Sequence, residues 1–147
     1  MPDVTPPPSS EDASIRMRAT GRRDTACELL VRRQLHARGL RYRIDHPLHF
    51  NRRRRADIVF VRERLAVFID GCFWHSCPEH GTVPRANRSW WEAKLARNRE
   101  RDADTIRRLG DSGWLGLRFW EHEDPSGVAD QIEQAVRSRR AEMGVHA

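Results

Sequence analysis

The chain is poor in cysteine, lysine and tyrosine, and it has no long apolar run. Its three cysteines, Cys27, Cys72 and Cys77, are an odd number without a disulfide framework. A reducing compartment with metal ligation suits them better than disulfide staples. No stretch is long and apolar enough to span a bilayer, and the first residues lack the charged and apolar regions of a secretory leader. No internal repeat is visible. At 147 residues the chain holds one ordinary domain and leaves little room for a second.

What is abundant is arginine. Lys94 is the single lysine among 27 basic residues, which stand against 21 acidic ones for a net charge of +6. The planar guanidinium suits bidentate phosphate or guanine contacts better than an ammonium point charge. A GC-rich genome produces the same bias without any functional cause. Net positive charge favours a polyanionic partner, and no basic amphipathic anchor argues for a membrane surface.

Residues 1–14, rich in proline and serine, show no periodicity and are expected to form a disordered arm. A single domain is expected over 15–142, with 143–147 as a tail. Thr25 and Glu28 have capping-box spacing, and Gly39 closes the segment, which predicts a helix from about Thr25 to Arg38. The alternating "LRYRIDHPL" predicts a short strand ending near Pro47. After the run Arg52 to Arg55, "ADIVFV" and "LAVFID" predict an antiparallel hairpin through a polar turn. Trp91, Leu95, Asn98, Asp102, Ile106 and Leu109 fall at helical spacing, with Asn87 as N-cap and Gly113 beyond the end. "WLGLRFWEH" predicts another strand, and Val128, Ile132 and Val136 stripe a closing helix. This order implies an α/β fold, a mixed sheet flanked by helices.

Three constellations could carry chemistry. Asp57 opens one hairpin strand and Asp70 ends the other, so both carboxylates can meet at one edge of the sheet. Such a pair binds a hard divalent cation, Mg²⁺ in particular; strand-end aspartates are also ordinary turn formers. Cys72, Cys77, His80 and the distant His122 offer two sulfurs and two imidazoles, a tetrahedral Zn²⁺ set. His75 competes with His122 for the fourth position, and two buried cysteines with two surface histidines are the plain alternative. A closed four-ligand shell presents no water, so such a zinc is structural and leaves His75 for general-base work near the carboxylates. Lastly, Phe73 with Trp74, and Trp90 with Trp91, are adjacent aromatic pairs that suit either the core or stacking against bases.

With these residues in view, the chain resembles the very short patch repair (Vsr) DNA mismatch endonucleases. The resemblance runs through "MRAT", "RRDTACE", "RRADIVFV", "VFIDGCFWH", "TVPRANRSWWEAKLARNRERD" and "GWLGLRFWEHE", from about Ile15 to Glu123. It implies a restriction-endonuclease-like fold and nicking of DNA 5′ to the thymine of a T:G mismatch left by deamination of 5-methylcytosine. By the resemblance, Asp57 binds Mg²⁺, Ile69 contributes a backbone carbonyl to it, His75 activates water, and Glu28 is an active-site acid on the first helix. Val31 and Leu35 share the Glu28 face and would turn it inward. Phe73, Trp74 and Trp91 match aromatics that wedge into DNA, and Cys72 matches a zinc cysteine. Lys94 and Asn98, within the W-x2-K-x3-N-x2-R-D pattern, join Arg16 and Arg18 as candidate DNA contacts.

Two departures stand out. Asp70 occupies a position where some members have histidine, and a carboxylate there could join the metal shell. The zinc ligands Cys77, His80 and His122 are reshuffled in type and spacing. The implied partners are mismatched double-stranded DNA and mismatch-repair proteins, for a monomer in the bacterial cytoplasm near the nucleoid. The rival expectations are a non-catalytic zinc-stabilised module that binds distorted DNA, and a restriction-type nuclease on the same fold.

Overall fold

The computed structural model describes residues 25–71 and 83–144. The elements are α1 (Ala26–Ala37), β1 (Arg43–Leu48), β2 (Asn51–Phe60), β3 (Leu65–Asp70), α2 (Arg88–Asp111), β4 (Leu115–Trp120) and α3 (Pro125–Met143). Local chemistry sets their ends. Thr25 Oγ1 accepts the Glu28 N–H at 3.3 Å to open α1. At the other end Gly39 takes φ +83° and lets the Leu40 N–H reach the Leu35 carbonyl, the bond pattern of a Schellman stop. Asp124 caps α3, with Pro125 in its first turn.

The strands lie in the order β1-β2-β3-β4, with two antiparallel junctions and a parallel β3–β4 pair joined through α2. All six residues of β3 are buried, so this strand needs cover on both faces. On one face Val31 and Leu35 of α1 and Val128, Ile132 and Val136 of α3 close over Ile58, Phe60, Val67 and Ile69. On the other, Leu109 and Ile106 of α2 cover Val59, Ala66 and Phe68. Gly116 permits that approach, because a Cβ there would lie 2.7 Å from Ile106 Cδ1. The expected mixed sheet between helices is therefore present.

Three boundaries differ from expectation. First, β2 begins at Asn51, so the four arginines belong to a strand; Arg55 pairs with Pro47 of β1, and the register shifts before Leu48↔Asn51. The charge is accommodated by partners: Arg54 reaches Asp104 at 2.6 Å and Thr105 at 3.1 Å, and Arg55 reaches Asp45 at 3.0 Å. Second, Asn87 does precede α2, but with φ +58° and no side-chain capping bond. Third, α3 continues through Met143 to a left-handed Gly144, past the boundary expected at 142. The expected arm and most of the expected tail lie outside the described residues.

Candidate active site

The site forms where two strands part. Pairing of β2 with β3 runs from Phe60↔Leu65 to Ile58↔Val67, and Asp57 is the next residue of β2. There the Asp57 carboxylate takes the place of a strand partner: its Oδ2 accepts the Ile69 N–H at 2.7 Å. In an extended strand the N–H and C=O of one residue point to the same side. On the opposite edge of β3 the Asp70 carbonyl accepts the Glu121 N–H at 3.0 Å, extending the ladder toward the β4 end. The Ile69 carbonyl thus lies on the Asp57 edge of β3.

Glu28 comes to the same place from α1. Val31 and Leu35 seat its helix face in the core, and Glu28 itself is only 3% exposed. Its carboxyl is close enough to that of Asp57 to bear on its protonation, and Arg32 Nη1 lies 3.3 Å from its Oε2. Two carboxyl groups this close need a shared proton or a cation between them. Burial pushes the Asp57 carboxyl above its ordinary value, and the neighbouring Asp70 charge pushes it the same way; the Ile69 N–H and Glu28 partly offset this.

Asp70 stands at the end of β3, buried, with both oxygens on Arg118 Nη1 at 2.8 and 2.9 Å. Arg118 comes from the middle of β4. Its Nη2 lies 3.3 Å from Asp102 of α2, and its Cζ stacks 4.2 Å from the centre of the Phe68 ring. Asp70, Arg99, Asp102, Arg118, Phe119 and Trp120 line a cavity of about 230 Å³. Sequence reasoning missed Arg118 and Asp102 as site residues. The signal for Asp102 was present, since a charged residue at the spacing of Trp91, Leu95 and Leu109 must face inward and find a partner there. Arg118 offered a similar one, a lone charge in an apolar strand.

Of the remaining site residues, His75, Cys72, Cys77, His80, Phe73, Trp74, Arg16 and Arg18 lie outside the described residues. His122 is exposed in the turn after β4. Trp91 and Asn98, expected among the DNA contacts, are 3% and 4% exposed. Their places on the α2 stripe explain this: Trp91 packs edge-on against Trp90 at 4.8 Å, and Asn98 Oδ1 accepts from Arg101 at 3.1 Å. Lys94 is half-buried on the same helix. Among the described residues, no group of three or more histidine, cysteine or acidic side chains forms a ready metal cage. No described helix is long and apolar enough to cross a membrane.

The carboxyls brought to the parting of these strands offer hard oxygen donors. Comparison with known proteins identifies the family. The model of the DNA mismatch endonuclease Vsr family matches residues 8–79, a span that includes Glu28, Asp57 and Asp70. The Type II nicking enzyme V.NaeI of Lentzea aerocolonigenes is 44% identical over 121 residues, covering 81% of this chain and 73% of its own. The Type II nicking enzyme V.NmeDIP of Neisseria meningitidis serogroup C is 33% identical over 84% of this chain and 85% of its own. The DNA mismatch endonuclease Vsr of Escherichia coli K12 is 36% identical over 71% of this chain and 66% of its own. The chain belongs to the Vsr endonuclease family, and its enzyme class is that of a DNA nicking endonuclease.

Proposed function

We propose that the protein is a Mg²⁺-dependent endonuclease that nicks DNA 5′ to the thymine of T:G mismatches arising from 5-methylcytosine deamination. The observation that carries the metal dependence is the place of Asp57 where β2 leaves β3, on the Ile69 N–H and with Glu28 and Asp70 each as an acidic neighbour. These hard oxygen donors fit Mg²⁺, and a cation there would relieve the repulsion between neighbouring carboxylates. Asp57 and the Ile69 carbonyl would hold the ion, with Asp70 and Glu28 alongside. The bound cation supplies Lewis-acid charge at the scissile phosphate. His75 accepts a proton from the attacking water, and in-line displacement leaves a 5′-phosphate and a 3′-hydroxyl.

Zinc remains part of the proposal, as a structural ion held by Cys72, Cys77, His80 and His122. Asp70 is the register partner of Trp120, and in sequence Cys72 follows the one by two residues as His122 follows the other. Two thiolates and two imidazoles are a chemically complete zinc set.

Selectivity for the mispair would come from aromatic insertion, since unstacking is less costly beside a mismatch. Trp91 would have to leave its buried seat to take part, so Phe73 and Trp74 carry the wedge. Arg16, Arg18 and Lys94 supply salt-sensitive affinity for the backbone.

A nicking assay tests this reading. Strand-labelled duplexes differing only in T:G against C:G, within randomised flanks, are incubated with Mg²⁺ and wild type or Asp57→Ala. Thymine-strand nicking that requires the mismatch, Mg²⁺ and Asp57 is the expected result. Cleavage of matched duplex on both strands would point instead to a restriction-type nuclease. T:G binding without cleavage by either protein would leave a DNA-binding module.

A further inference from the structure

Arg118 is held on three sides. Nη1 engages both oxygens of Asp70, Nη2 lies by Asp102, and the guanidinium plane rests on Phe68. The β3–β4 register sets this up, because Arg118 is the partner of Phe68 and so projects to the same face of the sheet as Phe68 and Asp70. Arg118 Nε is buried and has no hydrogen-bond partner among the described residues. A guanidinium seated to satisfy its own donors would not leave one buried and unmet. Its orientation is set by the two carboxylates.

A carboxylate whose oxygens both accept charge-assisted bonds in a buried setting enters a cation's coordination shell only by breaking those bonds. We propose that Arg118 is a positioning residue that keeps Asp70 out of the inner shell of the catalytic cation. Asp57 and the Ile69 carbonyl then ligate it, and Asp70 acts as a fixed, largely neutralised neighbour. The inference rests on the metal-dependent reading of the site and refines it. It also gives Asp102 a place, as the second anchor of Arg118.

The test is Mn²⁺ binding, measured by the loss of the free-ion electron paramagnetic resonance signal. It uses the full chain with nicked duplex product, so the readout is independent of turnover. The proteins are wild type, Asp57→Ala, Arg118→Gln, Arg118→Lys and the charge-matched double variant Asp70→Asn/Arg118→Gln. Arg118→Gln frees Asp70 and is expected to bind Mn²⁺ about tenfold more tightly, the scale of one charge-assisted bond no longer opposing ligation. Arg118→Lys keeps the charge and should stay closer to wild type. The double variant should return to wild-type affinity, because the residue released by the first change is no longer a carboxylate.

A purely structural role for Arg118 would lower the melting temperature and leave Mn²⁺ affinity where it was, which would overturn the inference. Loss of about tenfold or more in the double variant would overturn it too, by making Asp70 an inner ligand. The double variant carries no buried charge at this pair and serves if Arg118→Gln fails to fold. Absence of Asp57-dependent Mn²⁺ binding in wild type would instead overturn the metal-dependent reading, and this inference with it.

Discussion

The two faces of the sheet are built from different materials. Beneath α1 and α3 lies a dry layer in which Val31, Leu35, Ile58, Val67, Val128, Ile132 and Val136 are almost wholly removed from water. Beneath α2 the apolar layer is smaller, and polar groups continue it: Asn98 and Thr105 are buried on the helix, while Arg118 joins Asp70 to Asp102. Thr105 also shares Arg54 with Asp104. The dry face can afford only shape changes; the wet face holds charges that have partners but also chemistry to do. Glu28 is the exception that links them, a carboxyl set into the dry face and reaching Asp57 at the strand parting.

Substitutions should separate these faces, and the largest effect belongs to the parting of the strands. Asp57→Ala should reduce nicking to the assay background while the chain stays folded, as circular dichroism would verify. On the dry face, Ile132→Ala should remove about 2–5 kcal/mol of stability by leaving a cavity, measured by urea denaturation. Its nicking rate, taken well below the midpoint, should change little. Equal loss of activity in both variants at that temperature would erase the division between the faces.

A smaller effect of opposite sign sharpens the comparison. The folded-state value of Asp57 lies above the ordinary carboxylate value, so its contribution is fully present below that ordinary value and is lost as pH rises through the folded one. Above the ordinary carboxylate value and without divalent cation, burying this group therefore opposes folding. Asp57→Asn should then raise stability by about 0.5–2 kcal/mol, the usual scale of a gain made at the expense of function. The gain should vanish near pH 3 and shrink when Mg²⁺ is added to wild type. An Asp57→Asn protein less stable than wild type at pH 7 would mean that the Ile69 bond outweighs burial.

The smallest differences concern arginine pairs. Arg54→Ala removes a link from β2 to Asp104 and Thr105 of α2 and should lower stability by more than the loss of an exposed pair, although Asp104 keeps Arg107 and Arg108. Arg88→Ala removes an exposed pair with Glu92 and should change stability by less than about 0.5 kcal/mol. Thermal melts of the two variants at low and high salt would compare them.

Much of this architecture was legible in the residues. The Thr25 cap, the inward turn of Glu28, the β2–β3 hairpin and the meeting of Asp57 with Asp70 near one edge all follow from local spacing. The strand was expected only after the arginine run, whereas Asp45 and Asp104 give Arg55 and Arg54 partners and β2 begins at Asn51. Asn87 misled in another way, holding the cap position in a left-handed conformation with no side-chain capping bond. Trp91 and Asn98 matched a DNA-contacting pattern, yet their helix stripe places them inside.

By itself the sequence determined what depends on neighbours a few residues away: helix stops, strand alternation, the inward stripe of each helix and the chemical types of the donors. Tertiary structure alone decided which carboxylate pairs with which cation. Arg118 lies 48 residues from Asp70 and meets both its oxygens because β3 and β4 run parallel in one register. Such pairing depends on low-dielectric geometry across the sheet, and no local period along the chain encodes it.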